Sequence, residues 1–285
     1  MRSLLFTPAN SARKIDKALT SGADAVILDL EDSVAPTEKD NARLGARDAL
    51  AGRAPGSPAL IVRVNSLASG EIEADLDAVC AHAPDAIMLP KSRGGDDVQH
   101  LSIKLAVREA QHGLQDGAIG VLPIATESAD AIFRLASYRG ATARLRALAW
   151  SAEDLTADIG ALANRIPGEG WTPPFALARN LALFAAASAR IPAIDAVFVD
   201  IRDHQALRRE CAEARRDGFA GKLAIHPDQV AIINETFAPS EDEIARAKRI
   251  VEAFATSPSA GVLSLDGAMI DAAHLAWAKR KIGHK

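Results

Sequence analysis

Carboxylates, two cations and an imidazole stand at the ends of short apolar runs throughout this chain. Asp29, Glu31 and Asp32 follow one run, Arg63 and Asn65 the next, and Lys91 the one after that. Further along, Glu127, then Glu153 with Asp154, then Asp200 with Asp203, and lastly His226 occupy the equivalent places. Crowded carboxylates repel one another unless a cation, a base or solvent compensates them. Oxygen donors without cysteine, and with few histidines, suit a hard cation; magnesium takes one or two carboxylates and completes its shell with substrate oxygens and water. Arg63 carries a planar fork that matches a substrate carboxylate. Each group also has a purely structural role open to it. A strand-end carboxylate can cap a helix or pair with a base. Asp154 can cap a helix over 155–162, Asp29 can brace a loop arginine, His226 before Pro227 can serve as a structural hydrogen bonder, and Lys91 can merely balance the acids.

The apolar runs must position these groups, and there are eight of them: 3–6, 25–30, 59–64, 86–89, 119–124, 145–150, 196–199 and 222–225. Helical spacing fills most of the gaps, with Ile15, Ala18 and Leu19 on one stripe and Ile103, Val107, Ala110 and Leu114 on another. Thr37 before Glu38, Lys39 and Asp40 predicts a helix N-cap, and Ser69 before Glu71 and Glu73 predicts another. Strands alternating with helices imply βαβ units and a parallel sheet, and eight of them imply a single closed (β/α)8 TIM barrel. An open doubly wound sheet competes, but no Gly-x-Gly-x-x-Gly follows the first run. In a barrel the chemistry lies at the carboxyl ends of the strands, where these polar residues fall. The barrel is expected over 1–237 and a helical extension or lid over 238–285. That tail contains a helix capped by Ser240, a strand-like Val262–Leu265, a turn at Asp266-Gly267 and a last amphipathic helix. The segment 165–174, rich in proline and glycine, is expected to be a long irregular loop.

With 285 residues, 48% hydrophobic and 25% charged, the chain reads as a soluble globular protein, and its net charge of -4 gives no electrostatic case for a nucleic-acid or membrane partner. No run approaches the roughly 18 apolar residues of a membrane span, and residues 1–6 are too short for a secretory segment. Cys80 and Cys211 form neither a disulfide framework nor a zinc site. A cytoplasmic, magnesium-dependent barrel enzyme is the expectation from residues alone.

Several motifs occur in a telling order: Arg2-Ser3-Leu4-Leu5-Phe6-Thr7-Pro8, Asp29-Leu30-Glu31-Asp32-Ser33-Val34, Arg63-Val64-Asn65, Leu89-Pro90-Lys91, Thr126-Glu127-Ser128 and Ala152-Glu153-Asp154-Leu155. They are followed by Asp195-Ala196-Val197-Phe198-Val199-Asp200, Gly218-Phe219-Ala220-Gly221-Lys222 and Ile225-His226-Pro227. The set resembles the citrate lyase beta subunit branch of the HpcH/HpaI aldolase and citrate lyase family, and Asp266-Gly-Ala-Met-Ile-Asp271 resembles the C-terminal segment of that branch and its malyl-CoA and citramalyl-CoA lyase relatives.

The resemblance implies a Mg²⁺-dependent lyase that cleaves a 3-hydroxy-acyl-CoA, of citramalyl-, malyl- or citryl-CoA type, into acetyl-CoA and an oxo acid, or runs the reverse condensation. By motif, Glu127 and Asp154 would be the protein ligands of Mg²⁺. Arg63 would grip the oxo-acid carboxylate, and Glu31 and Asp32 would lie outside the metal, holding its water or orienting Arg63. The substrate would thus meet Arg63 and Glu127, with Lys14, Arg13 and Lys222 offered to the phosphates of CoA. Asp271 would act as the acid/base toward the acetyl methyl carbon, from a tail that lids a neighbouring subunit in a homotrimer or higher homo-oligomer. Three alternatives stay open: one subunit of a carrier-protein-dependent citrate lyase, an aldolase on hydroxy-oxo acids without CoA, and a barrel that binds without catalysis.

Overall fold

The computed structural model describes residues 1–257 and 260–283. The chain divides into two compact units, Met1–Phe237 and Ala238–Lys285. In the first, β1 (Ser3–Pro8), α1 (Ala12–Leu19), β2 (Ala25–Asp29), α2 (Lys39–Ala51), β3 (Ala59–Arg63), α3 (Ile72–Val79), β4 (Ala86–Leu89) and α4 (Gly95–Gln111) alternate. They are followed by β5 (Gly120–Pro123), α5 (Ala129–Phe133), β6 (Leu148–Ala149), α6 (Glu153–Asp158), α7 (Pro173–Ala189), β7 (Ala193–Asp195), α8 (His204–Asp217), β8 (Gly221–Ala224) and α9 (Pro227–Phe237). The eight strands are parallel and run β5-β4-β3-β2-β1-β8-β7-β6. Two isolated parallel bridges, Val121↔Leu145 and Ile124↔Ala149, bring β5 to β6 and nearly close the barrel.

Strand alternation sorts the core into two layers. Leu4, Ile27, Ile61, Met88, Leu122, Ala149, Ile194 and Leu223, one or more from each strand, pack together in the barrel lumen. Their neighbours Leu5, Val26, Leu28, Val62, Leu148 and Ala224 pack with the apolar stripes of the surrounding helices. The parity decides where each polar residue faces. Asp29 and Arg63 continue the inward series from Ile27 and Ile61, and they are register partners on adjacent strands. Asp195 and Lys222 have the opposite parity, beside Ile194 and Leu223, and are register partners of each other.

Four local expectations need correction. The seventh strand is Ala193–Asp195, not 196–199; its outward acid is neutralised by Lys222, so it does not read as an apolar run, and 196–200 is irregular. The segment 165–174 is not a structureless loop. It folds into a two-stranded antiparallel ribbon of Arg165–Ile166 and Gly170–Trp171, then enters α7 with proline at its start, where the missing amide costs nothing. Thr37 caps no helix, because 3₁₀ residues Pro36–Glu38 precede α2. Ser69 accepts the Glu71 amide in a turn ahead of α3 instead of capping it.

The second unit consists of α10 (Glu241–Thr256), an antiparallel hairpin of Val262–Leu265 and Ala268–Asp271, and α11 (Ala272–Gly283). Ser240 and Glu243 form a capping box at the start of α10. Asp266 and Gly267, both at positive φ, make the hairpin turn. Ala247, Ile250, Ile270 and Ala278 form the buried centre of this unit. Pro258 and Ser259 lie outside the described residues. No described helix is long and apolar enough to cross a membrane.

Candidate active site

A cavity of about 600 Å³ opens at the carboxyl ends of the barrel strands. Asp29, Arg63, Glu127 and Asp154 line it, with Leu5, Val197 and Ile225 on its apolar side. The Asp29 carboxylate takes Nε and one terminal nitrogen of Arg63, each at 2.7 Å. Ser33 donates to the same carboxylate through both its amide and its hydroxyl. Burial alone would raise the Asp29 pKa, but Arg63 and Ser33 outweigh it and hold the group below the usual carboxylate range. Arg63 also stacks over Phe6, 4.7 Å from the ring centre. Asp29 thus braces an arginine on the next strand rather than in a loop. One edge of the Arg63 fork is committed to it; the other terminal nitrogen lies 3.2 Å from Glu31 and 3.5 Å from Asp32.

Behind this pair, Lys39 holds the β2 turn by donating to the carbonyls of Leu30 and Glu31 and to Asn65. Asn65 in turn bonds Asp75, which also binds Arg43. Asn65 is therefore scaffolding for Glu31. Burial pushes Glu31 above the ordinary glutamate pKa, against the opposing pull of Arg63 and of Lys91, whose ammonium bonds it.

Lys91 stands at φ +53°, a left-handed conformation that costs a non-glycine residue of order 1–3 kcal/mol and marks sites where geometry is imposed. Its effect is to aim the Lys91 amide at Glu127 Oε2. The other oxygen, Glu127 Oε1, is buried and has no hydrogen-bond partner. Burial, and after it the negative charge of Asp154, drives the Glu127 pKa well above its ordinary value. A buried carboxylate with one idle oxygen, facing a second carboxylate, is a place for a cation. The chemistry of the donors fits magnesium: two hard oxygens from protein, with the cavity leaving room for substrate and water. Among the described residues no cluster of three or more acidic, histidine or cysteine side chains could hold a metal unaided.

Asp154 lies in the first turn of α6, whose N-cap is Ala152, so Asp154 does not cap the helix. The Ser151 hydroxyl donates to its Oδ2 at 2.9 Å, and Thr126 binds the Ser151 backbone. Sequence reasoning missed Ser33, Thr126 and Ser151, which look like ordinary loop residues. It also missed Lys17, which lines the cavity with Arg13 and Lys14; its place one turn of α1 beyond Arg13 was the available signal.

Other expectations resolve differently. Lys222 is fully buried, bonding Asp195 at 2.8 Å and Glu210 at 2.6 Å, and its outward parity removes it from any cavity contact with phosphate. Asp203 caps α8 and Asp200 turns the loop before it, so both are structural. His226 Nδ1 accepts the Asp228 amide at 3.3 Å, although the residue also lines the cavity. In the second unit, Asp271 caps α11: its Oδ1 takes the amides of Ala273 and His274 and the His274 ring nitrogen at 2.8 Å.

Comparison with known proteins gives the family of this barrel. A family model described as HpcH/HpaI aldolase/citrate lyase matches residues 2–227, and one described as a C-C bond lyase of the TIM-barrel fold matches residues 178–284. The citrate lyase subunit beta of Leuconostoc mesenteroides subsp. cremoris is 34% identical over 272 residues, covering 95% of this chain and 88% of that one. The mitochondrial citramalyl-CoA lyase of Rattus norvegicus is 32% identical over 282 residues, covering 95% and 81%. The structure of protein CitE from Mycobacterium tuberculosis in complex with magnesium, acetoacetate and coenzyme A matches with a TM-score of 0.78 at 30% identity, covering 99% of this chain and 98% of that one. With its eight parallel strands, its ordered motifs and a family match across almost the whole barrel, the chain belongs to the HpcH/HpaI aldolase/citrate lyase family.

Proposed function

We propose that the chain is a Mg²⁺-dependent carbon–carbon lyase that cleaves a 3-hydroxy-acyl-CoA into acetyl-CoA and an oxo acid, or joins them in reverse. The observation that carries this reading is the partnerless, buried Oε1 of Glu127 beside Asp154, at the floor of a cavity with a cationic wall. The names of the relatives support it: citrate lyase subunit beta and citramalyl-CoA lyase, with CitE solved bound to magnesium, acetoacetate and coenzyme A.

Glu127 and Asp154 would hold the magnesium ion, which when bound supplies Lewis-acid polarisation of the substrate's hydroxyl or oxo oxygen. Arg63 meets the substrate carboxylate with the terminal nitrogen that Asp29 does not take, which the substrate shares with or takes over from Glu31 and Asp32, and Asp29 holds that arginine in place before the substrate arrives. Glu31 and Asp32 orient Arg63 from the far side. Arg13, Lys14 and Lys17 on α1 meet the phosphates of CoA. Leu5, Val197 and Ile225 keep water from the reacting carbons. In the cleavage direction the hydroxyl gives its proton to solvent in the cavity, its oxygen becomes the new carbonyl, and the bonding pair of the broken C–C bond passes into the thioester as an enolate, whose methylene carbon is left to be protonated. Asp271, acting from the tail of a second copy in a homotrimer, then gives that carbon a proton. Among the described residues the bonds to the Asp271 carboxylate fall on Oδ1, and Oδ2 is the oxygen given this task.

A second reading, favoured by the citrate lyase subunit beta relatives, gives the same chemistry on an acyl group carried by a protein partner. Incubating the purified chain with Mg²⁺ and citryl-, malyl- or citramalyl-CoA, with and without EDTA, tests the proposal; metal-dependent release of acetyl-CoA from one of them is expected. Turnover that survives EDTA would remove the metal assignment, and turnover only on a carrier-linked thioester would select the second reading. Mixed oligomers of Asp271→Ala and Glu127→Gln chains, each inactive alone, should regain part of the activity. No recovery in demonstrably mixed oligomers would confine Asp271 to its own barrel or to capping α11.

A further inference from the structure

We infer that Thr126 is a positioning residue that fixes the separation of Glu127 and Asp154 by closing the seam of the barrel. The inference rests on the reading of those two carboxylates as the magnesium ligands.

The barrel is hydrogen-bonded without interruption from β5 round to β6 by way of β1, but the closing pair is joined only by isolated bridges. Along that seam the backbone bonds are Val121 N–H to Arg144 O at 2.8 Å, Arg146 N–H to Val121 O at 2.9 Å and Ala125 N–H to Ala149 O at 2.9 Å. The two carboxylates stand just past this weakest joint, Glu127 after β5 and Asp154 after β6. One residue beyond the last backbone bond, the connection passes to a side chain. The Thr126 hydroxyl accepts the Ser151 N–H at 3.0 Å and donates to the Ser151 carbonyl, also at 3.0 Å. A single hydroxyl thus does the work of a missing rung of the ladder, and Thr126 is completely buried while doing so. Ser151 passes the constraint on, because its own hydroxyl donates to Asp154 Oδ2 at 2.9 Å. Glu127 is covalently next to Thr126, so one continuous path of bonds and hydrogen bonds runs from one carboxylate to the other. Its length is set by a hydroxyl, not by strand pairing.

Groups that orient a ligand without touching the metal typically govern its affinity by 10–100-fold. Replacing Thr126 with valine keeps the shape and removes the hydroxyl, whereas serine keeps the hydroxyl and removes the methyl. Titration calorimetry with Mg²⁺ on the metal-free full chain is the test, with circular dichroism confirming that each chain is folded. The expected result is a dissociation constant about 10–100-fold weaker for Thr126→Val, and within about threefold of wild type for Thr126→Ser. Should the valine chain fail to fold, Ser151→Ala carries the same decision, since it cuts only the arm to Asp154; about tenfold weaker binding is expected. Unchanged affinity in the folded valine chain, or in Ser151→Ala used in its place, overturns the inference, as does a serine chain as weak as the valine one. Those results leave the function reading standing, whereas a wild-type chain that binds no Mg²⁺ overturns both.

Discussion

The barrel buries two clusters of charge and treats them in opposite ways. Between β7, β8 and the outer helices, Lys222 meets Asp195 and Glu210, Arg179 meets Asp195 and Asp217, and Trp150 donates to Asp195 at 2.8 Å. Both oxygens of Asp195 are matched there. At the cavity, Glu127 Oε1 is buried with no hydrogen-bond partner, Glu31 Oε2 has only an Arg63 nitrogen 3.2 Å away, and Lys91 accepts a left-handed backbone to aim its amide at the other oxygen of Glu127. Burying an unpaired polar atom costs roughly 1–3 kcal/mol. The outer cluster leaves one nitrogen over, the Nε of Arg165, whose fork pairs with Glu210. Among the described residues the buried carboxylate oxygens without a hydrogen-bond partner both belong to the cavity group, which reserves that side for something that arrives later. Balance marks scaffolding, and deficit marks the site.

The largest effects should come from the deficit side. Glu127→Gln and Asp154→Asn are each expected to lower kcat by about a thousandfold or more, since each would remove a charged oxygen from the proposed magnesium site. Thermal unfolding of the metal-free Glu127→Gln chain should match or exceed wild type, because a neutral amide is cheaper to bury than an unpaired carboxylate. A drop of several degrees would mean that Glu127 is structural, and the contrast between the clusters would fail.

On the balanced side, Lys222→Met should cost about 3–5 kcal/mol by stranding the Oδ2 of Asp195, which leaves Arg179 on the other oxygen, and by taking one of the two cations from Glu210. That corresponds to a melting temperature lower by on the order of 10 °C. The pH dependence follows the same pair. Burial opposes the charge of Asp195, but Lys222 and Arg179 outweigh it and hold its pKa below the ordinary value. Its contribution is therefore present above the unfolded carboxylate pKa of about 3.9 and is lost as pH falls through the lower folded value. Lys222 is raised by the same partners against burial, so its share persists up to the unfolded lysine pKa of about 10.4 and is lost only above it. Melting temperatures of wild type minus Lys222→Met should thus stay level from about pH 5 to 9 and converge in acid. A difference that vanished at neutral pH would show that the cluster is not balanced after all.

The smallest effect belongs to the cavity rim. Lys14→Glu should raise the KM for CoA esters about tenfold and leave kcat and Mg²⁺ affinity unchanged, because an exposed phosphate contact is worth about 1–1.5 kcal/mol. An unchanged KM would move the phosphate contact to Arg13 or Lys17.

Much of this was legible in the chain. Seven of the eight runs coincide with barrel strands because each is apolar enough to be buried, the seventh strand being hidden by Asp195, and the strand-end rule picked out Asp29, Arg63, Lys91, Glu127 and Asp154 as a group. Lys222 was misread although the information was present. Leu223 is inward, so its neighbour must face the helices, and no phosphate in the cavity can reach it. Thr126 and Ser151 were invisible for a different reason. Their importance lies in bonds across the seam, and nothing local distinguishes a hydroxyl that holds another strand from one that meets water. The left-handed turn at Lys91 was hidden in the same way, since lysine has no preference for it.

The seam has one more consequence, for the order of events rather than for distances. Glu127 and Asp154 stand on opposite sides of the thinnest join in the barrel, so a cation held by both, as proposed above, would also be a clasp. Anything that binds the closed ring and not the parted one shifts the equilibrium toward closure by RT ln(1 + [L]/Kd), about 2.7 kcal/mol at a hundredfold excess over Kd. Amide exchange along 144–151 should then slow as Mg²⁺ is added, while exchange in β1 to β3, which form continuous ladders, should not respond.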